Sequence, residues 1–346
     1  MILVVSTLHE PSVNRVVRHL EDRGAPWARI NTEEFPLLRA GRIALGGAEP
    51  HGVLDTPRGA VDTRAVTAVW MRRASRPAVP RRFSAKDKAF VADEANAFLN
   101  GFLDLVSGRF VNPREAERRA RKIPQLELAR RCGLSVPRTL VTNDADAVRA
   151  FAAAACGPVV FKPLAGVGSN GHDFARDLGD RFGEAVEVEP QSPSADPDAP
   201  AELVFSQILT PERAAHLDAL RYAPAIFQDY VEKAFDVRVT YVAGRVFACR
   251  IHSQEADDTA VDFRRMALRE RIEDVGHALF EPPVPLREGI ERFMQAAGLV
   301  FGCLDFVETP DGAFVFLEVN PSGQWLWVEQ LTGAPISEAV ADALCS

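Results

Sequence analysis

Two strands that read as core, yet carry carboxylates, constrain this chain more than any other stretch of it. In Gly298–Glu329, GLVFGCLDFVETPDGAFVFLEVNPSGQWLWVE, the apolar runs Phe301–Glu308 and Ala313–Val319 flank Thr309-Pro310-Asp311-Gly312. Pro, Asp and Gly in that tetrapeptide are the residues of a tight turn, so the two runs predict an antiparallel hairpin. Strand side chains alternate between faces, which puts Glu318 and Asn320 on one face. With Glu308 paired to Ala313 across the turn, Asp305 falls opposite Phe316, on that same face and diagonal to Glu318. Two carboxylates about 4 Å apart repel by roughly 4 kcal/mol at an effective dielectric of 20. A hard divalent cation removes that repulsion. An all-oxygen set of Asp305, Glu318 and Asn320 suits Mg²⁺, which keeps several waters and completes its shell with phosphate oxygens.

The rest of the chain is long enough to bury cores in two or three lobes, with 346 residues of which 47% are hydrophobic. A formal net charge of −8 argues against nucleic acid as the main partner. Five cysteines without a CxxC spacing predict neither a disulfide framework nor a zinc site, and reduced thiols fit a cytoplasmic protein. The opening Met1-Ile-Leu-Val-Val-Ser is too short and too uncharged for a signal peptide or a membrane span.

The first third reads as an α/β unit. Ile2–Val5 is a buried strand, Ser12–Leu20 a helix ending near Gly24, and Trp27–Ile30 a parallel second strand. No GxGxxG follows the first strand, so the dinucleotide fingerprint is absent. Ile43–Leu45, Gly52–Leu54 and Val66–Met71 add strands, the last running into Arg72-Arg73, a pair that either meets an anion or is solvated. Ser84–Ser107 is a long helix with Ser84 as N-cap and an apolar stripe of Phe90, Val91, Phe98, Leu99, Phe102 and Val106. Further on, Lys122–Gly133 is a helix with Pro in its first turn, followed by a strand (Val136–Val141), a helix (Ala145–Ala155) and the strand Pro158–Pro163. Glu187–Pro200, rich in Pro, Asp and Ser, predicts an exposed loop. Leu203–Leu209 reads as a strand and Pro211–Leu220 as a short helix.

Lysine usage singles out two positions. The chain has 35 Arg and only five Lys: Lys86, Lys88, Lys122, Lys162 and Lys233. A lysine inside the apolar strand VVFKP needs a reason where arginine is so strongly preferred, and an ammonium is a compact point charge suited to a phosphate. The Gly-rich segment Leu164–Gly171 next to it gives backbone N–H groups close access to phosphate oxygens, although it is not the GxxxxGK[ST] of a P-loop. The hairpin Ala234–Ile251 turns at Ala243-Gly244. A two-residue loop there puts Arg238 and Arg250 on opposite faces, and a three-residue loop puts them on one.

Asp305 followed by Glu318-x-Asn320-Pro321 resembles the metal-binding end of the ATP-grasp fold. Asn320-Pro-Ser-Gly-Gln-Trp-Leu-Trp-Val-Glu329 more narrowly resembles the ATP-grasp ligases that mature graspetides, the microviridin-like ribosomal peptides cross-linked through side-chain esters or amides. The resemblance implies a mixed α/β (α+β) chain: an N-terminal pre-ATP-grasp domain (1–111), a central ATP-grasp lobe (112–224) and a C-terminal lobe (225–346). It implies Lys122 and Lys162 on the nucleotide phosphates, and Gln228, Tyr230 and Val231 in the hinge along adenine. Asp236-x-Arg238 would lie near ribose and the transferred phosphate. Asp262-Phe-Arg264 resembles the family's DWR-type motif, which makes Arg238, Arg250 and Arg264 the candidate catalytic cations. Leader-peptide binding carries over to Leu203–Leu220 by position only.

The implied reaction uses ATP and Mg²⁺ to turn an Asp or Glu side chain of a precursor peptide into an acyl phosphate, which a Ser or Thr hydroxyl or a Lys amine then displaces. The expected partners are that ribosomally made peptide and a second copy of the chain, with neither nucleic acid nor membrane. Two alternatives stay open from sequence: an ATP-grasp ligase adding glutamate or another amino acid, and a peptide- or nucleotide-binding protein without catalysis.

Overall fold

The structure, a computed structural model, describes residues 1–47, 49–164, 186–188, 206–255, 262–263 and 275–346. Chain contacts divide it into two compact units. One holds Met1–Arg114, Val186–Val188 and Ser337–Ser346; the other holds Glu115 through Leu164 and the described residues from Ser206 to Ile336.

The first unit is built on a parallel sheet in the order Trp27–Asn31, Ile2–Ser6, Ala68–Met71, Arg109–Val111. Its crossover helix Pro11–Asp22 buries Val13, Val16, Val17 and Leu20, the one-sided spacing of a helix lying on a sheet. Ser84 caps the helix Ala85–Asp104 by accepting from the Asp87 N–H at 3.2 Å. Leu99, Phe102 and Leu103 of that helix enter the core, but Phe90 is 65% exposed and leaves the expected stripe. Arg72 is neither solvated nor at an open anion site. It is buried, donates to Ser12 Oγ at 3.2 Å, and lies 3.7 Å from the buried Glu10. Glu187 and Val188 belong to a short strand paired with Ala78–Pro80, so the loop expected from Glu187 is strand at its start. The C-terminal helix Ile336–Cys345 contributes Asp342, which takes Arg23 in an ion pair of 2.6 Å.

The second unit contains two antiparallel sheets. Gln207–Ile208, Val159–Pro163, Ala225–Asp229 and Thr139–Thr142 form the first, in that order. Phe161, Phe227 and Leu140 stand in register on one face and pack with Val148 and Leu217. Lys162, Val160, Gln228 and Thr139 therefore share the other face. The helix expected over Pro211–Leu220 is broken: Pro211–Ala214 is helical, and Leu217–Tyr222 is a separate 3-10 turn. The second sheet runs His277–Phe280, Arg245–Ile251, Phe235–Val242, Phe301–Glu308, Phe314–Asn320. Val237, Val239, Leu304, Phe306 and Phe316 on one of its faces pack on Leu126 and Ala129 of the helix Lys122–Arg131 and on Ile290, Phe293 and Met294 of the helix Val284–Ala297.

Candidate active site

The opposite face of the five-stranded sheet carries Asp305, Glu318 and Arg238, the residues expected from sequence. The register of the carboxylate hairpin differs from the sequence expectation by one residue, since Glu308 pairs with Phe314 rather than Ala313. An unbroken ladder from that pairing would put Asp305 opposite Leu317 and turn Glu318 to the core. A bulge between Asp305 and Phe306 absorbs Leu317 instead, so Phe306 faces Phe316 while Asp305 faces Glu318 and Cys303 faces Asn320. The two carboxylates are thus directly opposite, closer than the diagonal expected. Gln125, buried on the helix Lys122–Arg131, accepts the Val319 N–H just beyond the bulge, and the Ser135 carbonyl accepts the Phe316 N–H at 2.8 Å. Gln125 was not legible as a site-building residue, because its partner is a backbone group created by the irregularity.

Arg238 lies in the same cross-strand row, paired with Asp305 on one side and Cys249 on the other. Its Nε donates to Asp305 Oδ1 at 2.7 Å and its Nη1 to the Gln324 carbonyl at 2.9 Å. Burial works against the guanidinium charge, but Asp305 and Cys303 beside it hold its pKa above the ordinary value. Asp236, two residues earlier on this face, is held by Lys233 Nζ at 2.6 Å, with both side chains buried. Burial raises the Asp236 pKa even with Lys233 against it. Lys233 was counted among the five lysines but given no role; its position beside a buried acid shows why arginine was not used there, since a short reach suits a point charge.

The segment after the hairpin explains its own sequence. Asn320 Oδ1 accepts the Ser322 N–H at 2.9 Å, and Ser322 Oγ donates to Glu117 at 2.6 Å. A Cβ on Gly323 would stand 2.4 Å from Cys303 Cβ, so only glycine lets the chain cross the strand here. Trp325 is fully buried edge-on to Phe301, whereas Trp327 lies 5.6 Å from the Arg238 guanidinium.

Arg250 does not join this group. The turn at Ala243-Gly244 is a two-residue loop, Val242 pairing with Arg245, and both loop residues have positive φ. Such a loop matches the strand twist, and it places Arg250 opposite Val237 on the core side. There Arg250 grips Glu308 with two hydrogen bonds of 2.5 and 2.8 Å beneath Phe280. Arg264 and the Gly-rich segment from Ala165 to Gly171 lie outside the described residues.

In the other sheet, Lys162 is buried at the end of its strand, and Lys122 Nζ donates to the Pro163 carbonyl at 2.9 Å. Lys122 thus reaches the end of the strand that carries Lys162, although 40 residues separate the two lysines in sequence. Gln228 is buried and donates to Thr139 Oγ1 at 2.9 Å. The Tyr230 N–H is spent on the Pro158 carbonyl at 2.8 Å, and Val231 follows it half-buried, at the start of the link to the five-stranded sheet. Among the described residues no three His, Cys, Asp or Glu side chains converge as a complete ligand set. Asp305, Glu318 and the amide of Asn320 fit a cation that draws the rest of its shell from waters and phosphate oxygens, as Mg²⁺ does.

Residues 1–118 match the family model of the MvdD pre-ATP grasp domain. Among curated proteins none matches the chain. Solved structures match over its whole length. A RiPP-associated ATP-grasp ligase of Chryseobacterium gregarium, in complex with ADP and a leader and core peptide, is 23% identical with a TM-score of 0.85, covering 99% of this chain and 96% of that one. The macrocyclase MdnC of Microcystis aeruginosa MRC, bound with precursor peptide MdnA, is 25% identical with a TM-score of 0.80, covering 100% and 99%. The ATP-grasp ligase PsnB, complexed with a phosphomimetic variant of minimal precursor, Mg and ADP, is 22% identical with a TM-score of 0.73, covering 99% and 97%.

The class follows: this is an ATP-grasp fold behind a pre-ATP-grasp domain. Within that class the entire chain resembles in fold a RiPP-associated ATP-grasp ligase and the macrocyclase MdnC, and its first 118 residues match the pre-ATP-grasp family model.

Proposed function

We propose that the chain is an ATP-dependent ligase that closes rings in a ribosomally made precursor peptide by activating its Asp or Glu side chains. The observation that carries this reading is the single sheet face on which Asp305 stands opposite Glu318, with Arg238 bonded to Asp305. Lys122 and Lys162 supply a second concentration of positive charge at one strand end. Phosphoryl transfer needs positioning and charge neutralisation more than covalent help from the protein. These residues fit that demand. Asp305, Glu318 and Asn320 would hold Mg²⁺, Lys122 and Lys162 would hold the phosphates of ATP, and Gln228, Tyr230 and Val231 would border the adenine.

Bound Mg²⁺ supplies charge neutralisation between the phosphate oxygens and the two carboxylates. Arg238, bonded to Asp305, would add its positive charge beside the metal-type carboxylates. Asp236, neutralised by Lys233, keeps the start of that strand fixed. Arg264 is a further candidate cation from the DWR-type motif, and Arg250, tied to Glu308 on the core side, is left out of the reaction.

The test is an assay with synthetic candidate precursor peptides rich in Ser, Thr, Asp and Glu, chosen from short reading frames found beside the one for this chain. ADP release together with loss of one water per ring from the peptide is the expected result. ADP release with free amino acids and not with the peptide would make the chain an amino-acid ligase instead. Absence of ADP release with either would leave a binding protein.

A further inference from the structure

The two tryptophans after the carboxylate hairpin have different surroundings. Trp325 is fully buried against Phe301, whereas Trp327 is half-buried in the first turn of the helix Leu326–Thr332. Trp325 therefore fastens the segment, and Trp327 reaches the charged row instead. Its ring centroid lies 5.6 Å from the Arg238 guanidinium carbon, and that of Phe263 lies 5.7 Å from the same carbon. The two rings are 6.4 Å apart, so both stand on one side of the guanidinium. Asp262, buried next to Phe263, accepts the Ser206 N–H at 3.1 Å and ties that ring's segment in place. The hydrogen bonds of Arg238 come from elsewhere. Nε donates to Asp305, and Nη1 donates to the carbonyl of Gln324, three residues before Trp327. The third nitrogen, Nη2, takes no oxygen partner among the described residues and is not sealed from solvent. A guanidinium is a rigid planar fork, so two bonds and a ring contact fix where its last donor points.

We propose that Trp327 is a positioning residue: with Phe263 it holds the Arg238 guanidinium so that Nη2 meets an oxygen of the phosphate or carboxyl group reacting beside Asp305 and Glu318. The inference rests on the ligase reading above and adds to it, since neither ring has a part in that reading. Arg238 is the residue within reach, because it stands in the same cross-strand row as the two carboxylates and bonds one of them. An aromatic ring attracts the cation through its quadrupole and leaves the N–H groups unused. A third carboxylate in its place would bond Nη2 and spend the donor. Displacing a positioned group by about 1 Å costs up to about 100-fold in rate, which sets the ceiling for such a role.

The experiment compares the parent chain with Trp327→Phe, which keeps a ring, and Trp327→Leu, which keeps apolar bulk alone. Peptide-dependent ADP release, calorimetric affinity for ADP with Mg²⁺, and the unfolding midpoint are measured for each. In Trp327→Leu, kcat/KM for the precursor peptide should fall about 30-fold, equivalent to roughly 2 kcal/mol. Trp327→Phe should stay within about 3-fold of the parent. Affinity for ADP and the unfolding midpoint should be alike in the two variants. Arg238→Lys keeps a charge without the fork, so adding Trp327→Leu to it should cost less than about 3-fold more. The full loss on that background overturns the proposal, because Trp327 then acts by another route. Parent-like turnover in Trp327→Leu overturns it, and so does an equal loss in Trp327→Phe. Weakened ADP binding or a lowered midpoint in Trp327→Leu alone makes the residue structural, which also overturns it. A parent that releases no ADP with any peptide defeats the ligase reading, and this inference with it.

Discussion

The two faces of the five-stranded sheet use charge in opposite ways. On the helix-covered face, the charged pair Arg250–Glu308 sits at the margin of a core made of Val237, Val239, Leu304, Phe306 and Phe316, with Arg250 one-third exposed. On the other face, Arg238, Asp305 and Glu318 lie side by side in one row, with Arg238 and Asp305 almost wholly buried. In the first pair Arg250 is partly screened by water while Glu308 is buried, so losing the arginine costs about 1–3 kcal/mol. A buried pair of the second kind returns little net stability against its desolvation cost, yet losing one partner costs about 3–5 kcal/mol. Two carboxylates set directly opposite one another repel, and one guanidinium bonded to Asp305 is the cation the strands supply beside them, so that row reads as a ligand site and the other pair as a fastening.

Four substitutions can break or sharpen this contrast. The largest effect on stability is expected for Phe316→Ala, which empties the core face and should cost about 3–5 kcal/mol in a denaturant titration. A loss below about 1 kcal/mol would mean that this face is not the stability-bearing one. Glu318→Gln should do the converse, lowering peptide-dependent ADP release about 1,000-fold, equivalent to roughly 4 kcal/mol. Its unfolding midpoint should stay near that of the parent; full turnover would take Glu318 out of the metal set. Lys162→Met retains the stem and deletes the charge, so calorimetry with Mg²⁺ and ADP should read a loss of about 1.5–3 kcal/mol in affinity. An equal affinity would make the lysine structural. The smallest effect on turnover belongs to Arg250→Met, with ADP release unchanged and about 1–3 kcal/mol of stability lost, since the buried Glu308 is left without its partner. A collapse of turnover there would erase the distinction between the faces.

Much of this arrangement was legible from residue order, and the exceptions share a cause. The strand Phe301–Glu308, the turn Thr309–Gly312 and the helix capped by Ser84 follow from apolar periodicity and local turn and capping chemistry. Phe90 escaped the expected stripe because periodicity names a face without fixing how far along the helix that face is covered. Arg72 looked like a surface residue, yet Glu10 and Ser12 close around it from a segment 60 residues earlier. The register of the carboxylate hairpin was read one residue away, and the shared face of Asp305 and Glu318 nevertheless holds because the bulge at Leu317 restores it.

The sequence by itself determined which residues are the candidates for chemistry. Acids set inside apolar strands and lysines in an arginine-rich chain are local choices with local costs. Only the tertiary structure decided which of them meet. Whether Arg238 or Arg250 faces the carboxylates turned on the length of a two-residue loop, and whether Asp305 meets Glu318 turned on a bulge steadied by Gln125 from a different helix. A side chain's face in a sheet flips with a shift of one residue, and such a shift is settled by packing and by distant hydrogen-bond partners that no local pattern records.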